Sequence, residues 1–405
     1  MYVGIGSSKN HQDSFSAGRE AASQAIEKGG QGKADALIVL CSTVFDNEKM
    51  LAGIREVSQA PLIGCTTAGA IMDEGPIEQA LGILALVSDT VIFHPVKVEH
   101  ISQGIREAGK EFAKAVSGIE GEKAKFAFLF SDALSGNGTE LVRGVLELMG
   151  NGFPLVGGAA GDDMNFKKTY QYYNGEVLTD AAVGLAVSGK VRYAIGADHG
   201  WQPIGNARVV TKAKGTTLYE LDGKPAFSIY KDYFGERASD FKKALSLAAV
   251  SYPLGMETKG TDQFRNAVEK QACLFMIRAP LSIQEDGSIV CGAEVIEGSR
   301  IFLMIGTQSS ALWAARETVR RLVEEVPGIK PRLVFLSDCI ARKILYGERS
   351  KEEIEAIKEA AGSDAHVFGF YSYGQIAPLA VAPLDVNTCD PGFYEQSISV
   401  AVFGE

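Results

Sequence analysis

The hydrophobic pattern of the chain repeats itself. Residues 36–71 and 126–164 each contain, in the same order, an apolar run, small polar residues, a segment of helical period and a Pro-Leu-aliphatic-Gly step into a Gly/Ala-rich turn. The helical period rests on Met50, Ile54 and Val57 in the first stretch and on Leu141, Val145 and Leu148 in the second. Apolar residues three or four positions apart predict an amphipathic helix. Each stretch is therefore predicted to form a strand-helix-strand unit.

A weaker third copy of this unit lies near the C-terminus. It begins with LVFLSDCIAR (333–342) and ends with HVFGFYSYGQIAP (366–378). The segment between them has helical period, and its Ser350 and Glu353 have the spacing of a capping box. Aligned on the apolar runs, the three copies make two sets of positions equivalent: Cys41, Ser131 and Ser337, and Thr43, Ala133 and Cys339.

The remaining apolar runs complete the prediction of fold class. Runs at 81–89 and 181–189 predict strands that are covered on both faces. Later in the chain, strands are divided by Asp286-Gly287, a hairpin turn signal, and are followed by an amphipathic helix at 308–326. We predict an α/β or mixed α+β protein whose mixed sheets are built from related strand-helix-strand repeats.

The length and net charge of the chain limit the number of domains and the classes of binding partner. A chain of 405 residues is longer than one hydrophobic core needs, so we predict two domains, 1–237 with two copies of the repeat and 238–405 with the third. The net charge of -10 gives no basic surface for nucleic acid. No run approaches the roughly 18 apolar residues of a membrane span, and no signal-peptide pattern opens the chain. We expect a cytoplasmic protein without membrane insertion, and a homo-oligomer is compatible with the sequence.

Catalytic and metal-binding motifs are absent from the sequence, with Cys339 as the main candidate for covalent chemistry. The six cysteines are at least 18 positions apart, which predicts reduced thiols and no zinc site. Cys339 follows an apolar run, opens a helix and lies near Arg342, which would favour a thiolate. Its only plausible general bases are His199 and His366. A nucleophile, a pocket wall and a buried core residue all remain open for Cys339, and we predict no metal and no cofactor.

Polar residues at the ends of the repeated strands predict a ligand site. In α/β sheets, ligands bind outside the carboxyl ends of the strands. Arg342 would bind a carboxylate or phosphate, Cys339 and Tyr371 would be pocket walls, and Asp162 or Ser131 would contact an amine or hydroxyl. The full predicted set is Ser131, Asp162, Ser337, Cys339, Arg342, Tyr371, Tyr373 and Gln375. Individually, several of these residues could serve as turn or cap residues instead.

Collinear motifs in the chain resemble the FIST (F-box and intracellular signal transduction) family. The N-terminal half is similar through PLIGCTTAG, LFSDALSGNGTELVRGV and PLVGGAAGDD, and the C-terminal half through IRAPLSIQEDGSIVCGAEVIEGSRIFLMIG, FLSDCIAR and FGFYSYGQIAP. Cys339 and Arg342 match the family's Cys-x-x-Arg. The chain differs at Gly374-Gln375, where relatives commonly have Gly-Glu, and at Asn387-Thr388-Cys389, where the Asn-x-Thr pattern is altered.

This resemblance implies a sensory module that binds a small ligand, such as an amino acid or a similar polar metabolite. Family members pass the signal to kinase, chemoreceptor or cyclic-nucleotide output domains, so a separate signalling output protein is expected as a partner here. Two alternatives remain: a cysteine-dependent enzyme that uses Cys339, and a protein-protein scaffold that binds no small ligand.

Overall fold

The structure of the protein is a computed structural model that describes residues 1–243, 245–257, 275–378 and 391–404. The described α-helices are α1 (Ser14–Lys28), α2 (Asn47–Val57), α3 (Ile105–Ser117), α4 (Gly138–Met149), α5 (Ser228–Phe234), α6 (Ala238–Lys243), α7 (Leu245–Ser251), α8 (Gln308–Glu325), α9 (Ile340–Tyr346) and α10 (Ser350–Ala361).

The described strands fall into two halves along the chain. The first half contains β1 (Tyr2–Ser8), β2 (Ala36–Cys41), β3 (Leu62–Thr66), β4 (Ala70–Met72), β5 (Gly75–Ile77), β6 (Leu81–Val87), β7 (Val91–Glu99), β8 (Phe126–Ser131), β9 (Leu155–Ala159), β10 (Gln171–Tyr173), β11 (Glu176–Leu178), β12 (Ala181–Gly189) and β13 (Arg192–Asp198). The second half contains β14 (Gln202–Lys214), β15 (Thr217–Leu221), β16 (Lys224–Pro225), β17 (Leu254–Glu257), β18 (Phe275–Arg278), β19 (Pro280–Ile283), β20 (Ile289–Cys291), β21 (Arg300–Ile305), β22 (Pro331–Cys339), β23 (His366–Ser372), β24 (Gly374–Pro378), β25 (Pro391–Tyr394) and β26 (Ile398–Gly404).

Three six-stranded sheets share one strand order, which confirms the predicted repeats and the mixed fold class. Each sheet contains a parallel pair joined by a helical connection: β2–β3 in the first copy, β8–β9 in the second and β22–β23 in the third. Two antiparallel strands follow on one side, β6–β1, β12–β7 and β26–β13 respectively. A fourth sheet, in the order β18-β17-β21-β14-β15-β20-β19 with β16 beside β15, is inserted between β13 and α8.

The three copies exchange hairpins in a cycle. Hairpin β4–β5 leaves the first copy and pairs with β23, β24–β25 leaves the third and pairs with β9, and β10–β11 leaves the second and pairs with β3. Backbone hydrogen bonds also join the ends of these strands across copies. Ala68 N donates to Tyr371 O (2.9 Å), and Gly161 N donates to Thr66 O (3.0 Å). The carboxyl ends of the three parallel pairs therefore meet at one face of the molecule, as the sequence predicts.

Apolar side chains fill the space between the sheets and the space under the helices. The inner faces of the three sheets meet in a core of buried phenylalanines: Phe126, Phe128, Phe130, Phe335, Phe368, Phe370 and Phe403. Helices α1 and α2 cover the outer face of the first-copy sheet, α3 and α4 that of the second, and α8 and α10 that of the third. The strands of the parallel pairs have unbroken apolar runs because the core covers one face of each strand and the helices cover the other.

The strand register corrects the alignment of the third copy by one residue. A Cβ at Gly64, Gly157 or Gly369 would lie only 2.0–2.2 Å from a carbonyl oxygen of the neighbouring parallel strand, so these three glycines are equivalent. They pair with Val39, Leu129 and Leu336 respectively. Two residues further on, Cys41, Ser131 and Asp338 are equivalent, rather than Cys41, Ser131 and Ser337. The position of Cys339 corresponds to Ser42 and Asp132 in the other copies. The correction matters because a shift of one residue moves a side chain to the opposite face of the sheet.

Several segment predictions can be compared with the structure. The strand at 181–189 and the long helix, observed at Gln308–Glu325, are confirmed, and Asp286-Gly287 lies between the antiparallel strands β19 and β20. The capping box is wrong, because Ser350 and Glu353 make no cap and Glu353 binds elsewhere. The boundary near residue 237 stays a prediction, since three of the four described sheets combine strands from both sides of it.

Candidate functional site

Strand β22 ends in Ser337, Asp338 and Cys339, and helix α9, which follows it, carries Arg342. Ser337, Asp338 and Cys339 are consecutive, so Ser337 and Asp338 project to opposite faces. Ser337 meets Ser372 on the inner side, with 2.9 Å between the two hydroxyl oxygens. Asp338 projects toward Arg342 of α9, which begins directly after Cys339.

Arg342 lies fully buried among protein groups. Its Nη1 donates to His199 O (2.5 Å), and its Nη2 donates to Ala311 O (3.0 Å), to the Tyr346 hydroxyl (2.9 Å) and to Oε1 of Glu353 (2.6 Å). Its Nε lies 2.8 Å from Oδ1 of Asp338, in an ion pair that lacks the alignment of a hydrogen bond. A ligand carboxylate would have to displace one of these groups, so the predicted clamp role of Arg342 stays a prediction.

We call Asp338, Arg342, Tyr346, Glu353 and Tyr371 the Arg342 cluster; all five are buried. The cluster has two carboxyl groups and one guanidinium, an imbalance that is costly in a desolvated site. Burial, and then the neighbouring Glu353 carboxylate, raise the pKa of Asp338 well above its usual range despite the opposing effect of Arg342. The cluster therefore favours an additional positive charge or a bound proton.

Some polar atoms of the Arg342 cluster make no hydrogen bond. Within the described part of the chain, both carboxylate oxygens of Asp338, Oε2 of Glu353 and the Tyr371 hydroxyl are buried without a hydrogen bond. Most buried polar groups in folded proteins are hydrogen-bonded, and an orphaned group costs about 1–3 kcal/mol. Oδ1 of Asp338 still has its ion pair with Arg342 Nε, so Oδ2 of Asp338, Oε2 of Glu353 and the Tyr371 hydroxyl are the three atoms left without a polar partner among the described residues.

Lys343 covers one side of this cluster. Its ammonium lies 5.1 Å from the centre of the Tyr371 ring, donates to Ala68 O (3.3 Å) and lies 2.6 Å from Oε1 of the exposed Glu78. The Lys343 side chain therefore lies between the buried Tyr371 and solvent. A long, flexible side chain in this position can move at little cost.

Cys339 lies at the edge of the Arg342 cluster and is buried. Burial raises the pKa of its thiol to about 12, and backbone amides of Ala341 and Gln396 offset only part of that effect. A thiol with this pKa is protonated near neutral pH, which disfavours a nucleophilic role. Cys41, Cys65 and Cys291 are also free and buried, whereas Cys273 and the Asn387-Thr388-Cys389 pattern lie outside the described residues.

Ser337 and Gln375 belong to a second, hydrogen-bonded group. Gln375 Nε2 donates to the Ser372 hydroxyl (2.8 Å), which meets that of Ser337. The Ser397 hydroxyl donates to Oε1 of Gln375 (3.1 Å). All four residues are buried, so this group joins β22, β24 and the loop before β26. A carboxylate in place of Gln375 would lose the amide donor to Ser372.

Asp162 and Tyr373 form a third group, nearer the surface. The Tyr373 hydroxyl donates to Oδ1 of Asp162 (2.6 Å), and the amides of Phe166 (2.8 Å), Lys167 (2.6 Å) and Lys168 (3.0 Å) donate to the same carboxylate. Burial raises the pKa of Asp162, but these hydrogen bonds outweigh it and lower the pKa overall. The ring of Phe166 stacks on Tyr373 with 4.4 Å between centroids.

The structure therefore divides the predicted site residues into three groups. Cys339, Arg342 and Tyr371 lie together, as do Ser337 and Gln375, and as do Asp162 and Tyr373. Ser131 is buried at the end of β8, in register with Ala159 and Ala182. Sequence reasoning missed Asp338, Tyr346 and Glu353, and the spacing of Glu353 from Ser350 pointed to a helix cap instead of to Arg342. Among the described residues, no group of three or more His, Cys, Asp or Glu side chains could hold a metal ion.

The chain belongs to the FIST family. The FIST N domain matches residues 35–224 and the FIST C domain matches residues 226–378, which together cover most of the chain. Domains of this family are sensory domains of signal transduction, and this coarse assignment applies to the protein. No helix in the described residues is long and apolar enough to span a membrane.

Two uncharacterized proteins are similar to this chain over most of its length. An uncharacterized protein of Methanocaldococcus jannaschii is 26% identical over 369 residues, which cover 84% of this chain and 65% of that protein. This chain thus spans about two thirds of the length of that relative. An uncharacterized protein of Mycobacterium tuberculosis is 24% identical over 389 residues, covering 94% of this chain and 96% of the relative.

Among solved structures, Thermotoga maritima PurL complexed with ADP is similar at 10% identity, covering 99% of this chain and 71% of that chain. The TM-score of 0.21 is too low for a structural argument.

Proposed function

We propose that the protein is a sensory module that binds a small amine-bearing polar ligand, such as an amino acid, in the Arg342 cluster. The signal then passes to a separate protein. The observation that carries this proposal is a pair of buried carboxyl groups beside one guanidinium, in which Oδ2 of Asp338, Oε2 of Glu353 and the Tyr371 hydroxyl make no hydrogen bond to the described part of the chain.

An ammonium group matches this set of atoms. It supplies one positive charge and three donors, and Oδ2 of Asp338 and Oε2 of Glu353 are acceptors without a hydrogen bond from any described residue. The charge-assisted hydrogen bonds so formed are about twice as strong as neutral ones. The ligand's carboxylate would face the side of Lys343, whose ammonium already lies over Tyr371.

The cluster is closed, so ligand access requires a movement. Displacement of the Lys343 side chain from Glu78 and Ala68 would uncover Tyr371 and the carboxyl groups behind it. Because Ala68 belongs to the first copy and Lys343 to the third, this movement would change contacts between copies. Ligand binding would thus alter contacts of two sheets. A sensory role requires such a change, because the ligand must favour one conformation over another.

A thermal-shift screen tests the proposal. Amino acids, hydroxy acids without the amine and amines without the carboxylate are compared, and affinity is then measured by calorimetry. Amino acids should raise the melting temperature. A ligand present at a hundred times its dissociation constant should stabilise the folded protein by about 2.7 kcal/mol. Hydroxy acids should not raise the melting temperature.

Tyr371→Phe supplies the matched variant, because it removes only the orphaned hydroxyl. We expect it to weaken binding at least several-fold, whereas Tyr2→Phe, at an exposed tyrosine of β1, should leave affinity unchanged. If no amine-bearing compound raises the melting temperature, or if Tyr371→Phe binds as tightly as the wild type, the proposal is wrong.

A further inference from the structure

The loop that follows β9 has an unusual backbone. Three of its residues that are not glycine lie in the left-handed region, Asp163 (φ 54°), Met164 (φ 65°) and Phe166 (φ 51°). Bulky residues rarely adopt this conformation, which persists only where surrounding contacts enforce it. We call residues 163–168 the 163–168 loop.

All three copies of the repeat hold this loop in place. Oδ2 of Asp163 accepts from the Ser42 hydroxyl (2.9 Å) and from Thr43 N (2.8 Å) in the turn of the first copy. Asp162 of the second copy accepts from three amides of the loop, and Tyr373 of the third copy donates to Asp162. The loop is therefore fixed in shape before it meets any partner.

This fixed loop presents apolar side chains to solvent. Phe166 is 57% exposed and Met164 is 47% exposed, although a buried apolar position is the usual place for both residue types. Lys167 and Lys168 follow directly and are exposed. The loop thus combines two apolar side chains with two exposed lysines on a chain whose net charge is -10, while the carboxylate of its Asp163 is bound by Ser42 and Thr43.

We infer that the 163–168 loop is the docking site for a separate protein that presents an apolar pocket bordered by acidic residues. Aromatic residues and Met are enriched at protein interfaces, and a binding element fixed in its bound shape loses little entropy on association. The acidic border follows from charge complementarity to Lys167 and Lys168. That this partner is the signalling output protein rests on the function proposed above.

A membrane surface is the less favoured partner for the same loop. Binding to a bilayer scales with buried apolar area, and two side chains bury little. A bilayer also needs no fixed loop shape, whereas a pocket does. The fixed shape of the loop, which contacts within the chain enforce, therefore favours a protein pocket over a lipid surface as the partner.

Three pools of fluorescent 12-residue peptides test the inference. All contain leucine and phenylalanine at fixed positions. The other positions hold Asp or Glu in the acidic pool, Lys or Arg in the basic pool, and Ser or Gln in the neutral pool. Binding of each pool to the full chain is measured by fluorescence anisotropy. We expect the acidic pool to bind and the basic pool not to bind. Phe166→Ala should weaken binding at least tenfold, and Phe15→Ala, the same change at an exposed position on α1, should leave it unchanged.

Several outcomes would overturn the inference: equal binding of all three pools, no binding of the acidic pool, or binding unaffected by Phe166→Ala. Co-sedimentation with phosphatidylserine vesicles that depends on Phe166 would instead assign the loop to membranes. Circular dichroism of Phe166→Ala verifies the fold. Tyr371→Phe should alter ligand affinity and leave peptide binding intact, so failure of the docking site and failure of the proposed ligand site are distinguishable.

Discussion

The Arg342 cluster and the 163–168 loop use charged residues in opposite ways. Directly before the loop, the carboxylate of Asp162 accepts four hydrogen bonds that fix the loop while its apolar side chains stay exposed. In the cluster, two carboxyl groups are buried against Arg342, and Oδ2 of Asp338, Oε2 of Glu353 and the Tyr371 hydroxyl make no hydrogen bond within the described structure. Both regions lie at the carboxyl ends of repeated strands.

This difference separates two kinds of binding region. Unused buried donors and acceptors favour a small polar ligand that supplies the missing hydrogen bonds. A satisfied carboxylate that fixes an exposed apolar loop favours a macromolecular partner. Two different connections of the repeat therefore support the two proposed roles: the strand-to-helix turn after β22 supports sensing in the third copy, and the loop between β9 and β10 supports docking in the second.

Arg342→Met gives the largest expected effect and tests whether the cluster is one electrostatic unit. Removal of the guanidinium leaves the carboxyl groups of Asp338 and Glu353 buried without a counter-charge, which should reduce the free energy of unfolding by about 3–5 kcal/mol. Urea unfolding at neutral pH measures this loss.

The matched control is Arg320→Met, at a half-exposed arginine that pairs with Glu317 and Glu324 on α8. Exposed ion pairs contribute about 0–1 kcal/mol, so this variant should unfold near the wild-type midpoint. Equal losses in the two variants would contradict the special role of the buried cluster.

Asp162→Asn should have the second-largest effect. The amide retains one acceptor oxygen but lacks the charge that binds the amides of Phe166, Lys167 and Lys168, which should reduce the free energy of unfolding by about 2 kcal/mol. Trypsin should then cleave after Lys167 and Lys168 faster than in the wild type, because the loop is less constrained. Asp89→Asn, in an exposed turn, serves as control. Unchanged cleavage would show that Asp162 does not fix the loop.

Asp73→Asn should have a smaller, pH-dependent effect at a contact between the first and third copies. Burial raises the pKa of Asp73, but hydrogen bonds from His366, the Val367 amide and Lys358 outweigh it and lower the pKa to about 2. Because the folded pKa is below the ordinary 3.8, the carboxylate stabilises the fold above about pH 4 and loses that effect as the pH falls toward 2.

The variant should lose about 1 kcal/mol at pH 7 and should show a flatter stability profile between about pH 4 and pH 2 than the wild type. Thermal unfolding across this range measures the difference. A profile as steep as that of the wild type would assign the acid sensitivity to other carboxylates.

The smallest expected signal is alkylation of Cys339. Because burial raises the pKa of its thiol to about 12, iodoacetamide should modify Cys339 slowly, without titration near the usual value of about 8.5. Mass spectrometry of the peptide that contains Cys339 follows the rate against pH, with urea-unfolded protein as the reactive reference. Rapid native labelling with a midpoint near 8.5 would restore the alternative of a cysteine-dependent enzyme.

The sequence predicts the repeats well because apolar periodicity reports burial directly. It places the three strand-helix-strand units, the 181–189 strand and the long helix where the structure has them. The exchanged hairpins are not predictable in this way, because β4, β10 and β24 carry no local signal for the sheet that they join.

The candidate site is predicted only in part, for a related reason. Arg342, Cys339 and Tyr371 stand out as polar or reactive residues at strand ends, and the structure brings them together. Glu353 does not stand out, because its spacing from Ser350 also fits a helix cap, and only the three-dimensional structure reveals its ion pair with Arg342 of α9. The one-residue error in aligning β22 hid Asp338, since strand register is set by neighbouring strands.

Calorimetry on Glu353→Gln tests the central claim most directly. The strongest amine-bearing compound from the thermal screen is titrated into the wild type and the variant. The substitution keeps the size of the side chain and removes one negative charge, so the account predicts at least tenfold weaker binding of the ammonium ligand. Equal affinity for the two proteins would contradict the assignment of the Arg342 cluster as the ligand site.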